Sequence, residues 1–201
     1  MLEQKTQFIQ NEVLGLVIRG AFPPYTKIYA KIATEKNRAR MRHIIREKIV
    51  EMAELYRQKH VSPEAHVDNI ETLQKYINTQ CCNFLTKEIS FGIAQKLLNL
   101  YLKYEWCLNR FNHDVHPPHC PVDSIVIKQA NKEGAKIPPK PPWSQMAAND
   151  YLYAIEEIGR VASKCQKNMP AWELDIFNAN NPAYGFDVSV DKSVGFLSDG
   201  N

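Results

Sequence analysis

Two residues of this chain have the types and the setting for covalent chemistry. Lys96 lies in FGIAQKLLNLYLKYEW, an apolar stretch, and Asp123 follows 27 residues later in HCPVDSIVI, behind a proline and at the head of an apolar pattern. A lysine is a nucleophile only when neutral, and burial among Leu97, Leu100 and Trp106 would lower its pKa toward the working range. A carboxylate at a helix N-terminus is held ionised by the helix dipole. Beside this chemical reading stands a structural one, in which helical lysines are solvated and an aspartate at a helix start is a cap.

The element that must carry the lysine is the strongest helix pattern in the sequence. Ile93, Leu97, Leu100, Tyr104 and Leu108 recur at steps of three and four over residues 91–109, and Gly92, Lys96, Asn99 and Lys103 form a polar stripe beside them. Further helices are expected over 2–19, 30–59, 63–79 (with Ser62 as N-cap and Pro63 at the first position), 121–133, 144–166 and 170–178. KIPPKPPW (136–143) reads as a stiff polyproline-like connector. No β alternation of useful length precedes residue 181. The expected fold is one compact all-α domain of six to eight helices over 1–180, with an irregular tail over 181–201.

A lysine near the start of a helix, a loop, and then Pro-Val-Asp leading an apolar helix resembles the core of the helix-hairpin-helix DNA glycosylase superfamily. In spacing it is closest to the archaeal oxidised-guanine glycosylases. The resemblance covers residues 62–135 and is carried by GIAQK and PVDSIVI. AQKLLNLYLKYEW with PPHCPVD also resembles a group of small bacterial proteins. The glycosylase resemblance implies a glycosylase-like fold, Lys96 as nucleophile, Asp123 as helper carboxylate and Lys103 as the nearest alternative amine. One departure is plain: the superfamily sets a glycine-rich turn before the lysine, whose amides hold a DNA phosphate, whereas TKEISFGIAQK offers only Gly92. An altered DNA anchor is implied.

The activity so implied is release of a damaged or modified base from DNA, in repair or in defence against phage. Breaking an N-glycosidic bond develops positive charge on the sugar, which an ionised Asp123 would stabilise. Lys96 would form a Schiff base with the opened sugar, an intermediate that also permits strand cleavage by β-elimination. The alternative from another class is a non-catalytic DNA-binding or protein-interaction module with the same helices. The glycosylase reading needs no cofactor or metal and no obligate protein partner; its partner is double-stranded DNA with a flipped base.

Residues 31–48 hold seven basic groups against Glu35 and Glu47, a local balance of +5, with Arg38, Arg42 and Arg46 at successive turns. That is a candidate phosphate-binding face, to which Lys103 and Lys128 are added, with Lys132, Lys136 and Lys140 extending the rim. A flipped base needs an aromatic platform and edge-reading polar groups. Trp143 after the connector, Phe91, Gln95 and Asn99 are the candidates, ahead of Trp106, Phe111 and Trp172. The rival site is zinc held by His113, His116, His119 and Cys120, with Cys107 nearby, though the spacing matches no common zinc pattern.

The composition agrees with a soluble globular protein. Hydrophobic residues make up 44% and charged residues 23%, which excludes disorder of the whole chain. No apolar run approaches the roughly 18 residues of a membrane span, and the N-terminus does not read as a signal peptide. Five cysteines without CxxC spacing read as reduced thiols, so a cytoplasmic location is expected. Cys81 and Cys82 read as packing residues. The net charge of +3 is too small to identify a polyanionic partner.

Overall fold

The computed structural model describes residues 2–22, 28–30, 33–112 and 115–180. They form seven α-helices: α1 (Leu2–Ala21), α2 (Glu35–Gln58), α3 (Pro63–Gln80), α4 (Phe91–Cys107), α5 (Ser124–Lys132), α6 (Ala148–Lys164) and α7 (Met169–Asn180). Two 3₁₀ turns, Cys82–Phe84 and Trp143–Gln145, lie between them. β pairing among the described residues is limited to an isolated antiparallel bridge between Tyr29 and Leu85. The all-α expectation of six to eight helices therefore holds; the tail over 181–201 lies outside the described residues. No described helix is long and apolar enough to cross a membrane.

Side-chain caps set several helix starts. Thr34 Oγ1 accepts from Asn37 N at 3.2 Å, Ser62 Oγ from Ala65 N at 3.2 Å and Ser90 Oγ from Ile93 N at 3.1 Å. Three expected boundaries move. The helix predicted from residue 30 begins at Glu35, because Ala30 N donates to Phe84 O at 2.9 Å and Ile28 O accepts from Thr86 N at 2.8 Å. The helix predicted from 121 begins at Ser124, because Asp123 turns out of helical geometry to cap it. The helix predicted over 144–166 is a 3₁₀ turn followed by α6.

Helix α4 is central, flanked by α1, α2, α3, α6 and the 143–145 turn. Thirteen of its 17 residues are buried, among them Gln95, Lys96, Asn99, Lys103 and Glu105, so these five must find partners inside the protein. Gly92 is required by a close approach: a Cβ there would lie 1.8 Å from the Trp143 carbonyl oxygen. Gly92 N donates to Met146 O at 3.0 Å. The turn over 143–146 thereby closes on the first turn of α4. At the other end of α5, Gly134 takes a φ of 95°, the left-handed conformation glycine adopts without strain.

Candidate functional site

Lys96 and Asp123 meet. Nζ of Lys96 lies 2.5 Å from Oδ2 of Asp123, and the two side chains are 8% and 20% exposed, so the contact is largely shielded from water. Local structure fixes the carboxylate. Pro121 and Val122 are buried, and Oδ1 of Asp123 accepts from Ile125 N at 2.9 Å and Val126 N at 3.0 Å at the head of α5. One oxygen caps the helix while the other faces the lysine, so capping and ion pairing coexist in one residue. Burial pushes the Asp123 carboxyl up, but the Lys96 ammonium and the Val126 and Ile125 amides outweigh it and hold the group below its ordinary range.

A second pair sits two turns along α4. Lys103 Nζ lies 2.9 Å and 2.7 Å from the two carboxylate oxygens of Glu173 on α7, and 4.3 Å from the centre of the Phe177 ring. Burial raises the Glu173 carboxyl above its ordinary range, against the lowering effect of Lys103. Both pairs line one cavity of about 240 Å³. Its walls include Leu100, Tyr104 and Ile176, and its rim carries exposed Leu16, Ile125 and Phe177. The arrangement is a charged but balanced floor under an apolar mouth. Trp106, expected beside Lys96, is not among the lining residues, since ten residues along a helix point well away from the starting face.

The polar stripe expected on α4 divides. Lys96 and Lys103 turn to the cavity, whereas Gln95 and Asn99, expected to read a base, are fully buried in a separate network. Tyr56 OH accepts from Asn69 Nδ2 at 2.9 Å, so it donates to His66 Nδ1 at 2.8 Å, which leaves His66 Nε2 to donate to Asn99 Oδ1 at 2.7 Å. Asn99 Nδ2 approaches Gln95 Oε1, Cys120 O and Tyr151 OH, and Tyr151 OH is 2.9 Å from His119 Nδ1. Gln95 pairs with both backbone groups of Val122, donating to O at 2.6 Å and accepting from N at 3.2 Å. These amides hold the 119–122 segment against α4 and so aim Asp123 at Lys96. Their role is positioning, a correction to the substrate-binding expectation. Burial lowers His66 to about 3, with the neighbouring His119 adding to the effect, and lowers His119 to about 4. Sequence reasoning missed His66 and Tyr151 because no local pattern distinguishes them from ordinary helix residues.

The aromatic platform is also corrected. Phe91 is buried with its ring 5.3 Å from that of Tyr151, and Trp143 is only 7% exposed because its backbone rests on Gly92. Trp143 does line a separate cavity of about 370 Å³ with Ile93 and Ser124. The first amides of α4 are engaged by Ser90 and Met146, so this helix start is closed by the chain itself.

The basic residues divide as well. Lys103, expected to contact phosphate, is buried and paired with Glu173. Lys128 is exposed. Arg42 pairs with Glu35 at 2.6 Å, Arg38 lies 5.2 Å over the Tyr29 ring, and Arg46 is half-buried over Gly15 of α1. Lys31 and His113 lie outside the described residues. His116 Nδ1 donates to Pro117 O at 2.9 Å, and Cys120 is fully buried with its thiol pushed up by burial. Among the described residues no three or more His, Cys, Asp or Glu side chains converge as a metal site. Comparison with protein-family models, with curated proteins and with solved structures returned no match.

Proposed function

We propose that this chain is a DNA N-glycosylase in which Lys96 is the nucleophile and Asp123 the assisting carboxylate, releasing a damaged or modified base from duplex DNA. The observation that carries the reading is the 2.5 Å contact between Lys96 Nζ and Asp123 Oδ2 at the wall of a cavity with an apolar mouth. The flipped nucleotide enters past Leu16, Ile125 and Phe177, whose ring and apolar neighbours offer the base a contact surface. The Lys96 lone pair attacks C1′ as the glycosidic bond breaks, and the ionised Asp123 faces the positive charge on the sugar. Ring opening then gives a Schiff base, from which β-elimination cleaves the strand. Such an activity serves repair or defence against phage in the cytoplasm.

The test is borohydride trapping on duplex DNA with one abasic site. The wild-type protein gives a covalent adduct and Lys96→Gln gives none. A persisting adduct in Lys96→Gln would move the nucleophile to another amine, with Lys103 the first to examine. The second reading, a non-catalytic DNA-binding or protein-interaction module, is favoured by the N-cap on α5, which by itself accounts for an aspartate at position 123. It predicts no adduct with either protein.

A further inference from the structure

Base release sets Asp123 two tasks that exclude each other. It must remain ionised to face the cationic sugar, yet it is also the nearest acceptor for the proton that Lys96 must lose before it can attack. A carboxylate that has taken that proton stabilises no cation. The cavity contains a second carboxylate, Glu173, 5% exposed, whose Oε1 accepts from Lys103 while Oε2, 2.7 Å from the same ammonium, is buried without a hydrogen-bond partner. Lys96 and Lys103 are seven residues apart on one face of α4, and the Asp123 and Glu173 carboxylates line the same space.

We infer that Glu173 accepts the proton that Lys96 gives up, so that Asp123 stays ionised throughout; the inference rests on the base-release reading above. A proton passes from the Lys96 ammonium to the Glu173 carboxylate through solvent in the cavity that both line, and the freed lone pair forms the bond to C1′. The glycosidic bond breaks with its electron pair passing to the base nitrogen. That nitrogen takes the proton from Glu173, which returns to its carboxylate. No oxidant or further reactant enters.

The surroundings suit the division of labour. The groups that act electrostatically on Glu173 are Lys96 and Lys103 from α4 and Asp123 from the head of α5; Tyr104, Cys107 and Cys120 also sense its charge. Burial favours the neutral form of Glu173, while the lysine and two backbone amides favour the charged form of Asp123. Carboxyl groups driven in opposite directions within one cavity are suited to opposite protonation roles.

Borohydride trapping on abasic-site duplex DNA, followed from pH 5.5 to 10, tests the inference without knowing which base is excised. Glu173→Gln should trap about a hundredfold more slowly than wild type near pH 7 and recover toward the wild-type rate at the alkaline end of the series, where hydroxide takes the place of the missing base. Glu173→Asp should trap near pH 7 with its acidic limb displaced. If wild type traps and Glu173→Gln matches it at every pH, the inference falls while the base-release reading stands. A loss in Glu173→Gln that is equal at every pH makes Glu173 structural and also overturns it. Should Glu173→Gln fail to fold, the limb of Glu173→Asp decides: displacement supports the assignment and an unmoved limb removes it. If wild type itself forms no adduct, the base-release reading fails and takes the inference with it.

Discussion

Helix α4 carries two clusters of buried charge that are built on opposite lines. At its C-terminal end Glu105 is fully buried, with Oε2 2.8 Å from Arg57 Nε and in contact with Arg57 Nη2, and Oε1 2.8 Å from Arg110 Nη1. Arg57 also contacts Glu54. On the face turned to the cavity, Lys96 meets Asp123 and Lys103 meets Glu173. A guanidinium does not release its proton in a protein, and its planar fork grips a carboxylate rigidly. An ammonium on a flexible stem can release one. The arginine cluster is a tie between α2, α4 and the loop after it, whereas the lysine cluster has the parts for proton transfer and the space for a ligand.

The two clusters lose different things when a charge is removed. Lys96→Gln should abolish trapping on abasic DNA yet leave a cooperative thermal melt, since Asp123 keeps its two amide partners. Asp123→Asn should slow base release by about two orders of magnitude or more, in line with other preorganised electrostatic sites. Single-turnover assays measure both. Normal base release by both variants on a substrate that wild type processes would erase the distinction between the clusters.

Removing Glu105 should act on the fold instead. Glu105→Ala leaves Arg57 with Glu54 alone and Arg110 without its carboxylate partner, both of them partly buried, a change worth about 3 kcal/mol of stability. Denaturant unfolding of Glu105→Ala beside Lys96→Gln gives the ratio directly. Equal losses would mean that the lysine pair is as much a structural tie as the arginine cluster.

A pH-dependent effect of comparable size comes from the neutral network behind the site. The folded pKa values of His66 and His119 are depressed to about 3 and about 4, below the ordinary 6.5, so the unfolded chain binds more protons in acid. Their contribution is complete above pH 6.5 and is lost as pH falls toward 4, at about 1.4 kcal/mol per pH unit for each histidine. Urea midpoints between pH 7 and 4.5 measure it. Replacing His66 with Gln should flatten the slope, and an unflattened slope would assign acid sensitivity to the carboxylates.

The reach of the sequence followed the range of the interactions. Caps at Ser62 and the apolar stripe of α4 are encoded within a few residues, so those helices could be read locally. Lys96 and Asp123 were legible for a different reason: each stood out by type against an apolar setting. Glu173 was not, because in PAWELDIF it looks like an ordinary helical glutamate until α7 brings it to Lys103. Gln95 and Asn99 were misread because a helical stripe gives the face but not the neighbour. About 60° of rotation separates Asn99 from Lys96 on α4, enough to turn one toward His66 and the other toward the cavity. Trp143 was misread through its partner, since nothing in KIPPKPPW shows that its carbonyl rests on Gly92.

The smallest effect concerns the basic run on α2, which stands outside both clusters. If it tracks phosphates, log affinity for duplex DNA should fall linearly with log salt, and each lost contact should flatten that slope by about 0.9. Arg38 and Arg42 together should then remove no more than about 1.8. Arg42 already faces Glu35 at 2.6 Å, so its contact competes with an ion pair that is itself screened by salt. Arg42→Ala alone should therefore change the slope less than Arg38→Ala, and Glu35→Gln should steepen it by freeing Arg42. Fluorescence anisotropy on one duplex across a salt series reads all three. A slope unmoved by the Arg38 and Arg42 double substitution would make these arginines packing and surface residues, leaving exposed groups such as Lys128 to meet the backbone. A steeper slope in Glu35→Gln could arise only if Arg42 meets phosphate or if removing one negative charge strengthens the whole surface. Glu47→Gln, which removes an equal charge farther along the same helix, separates the two.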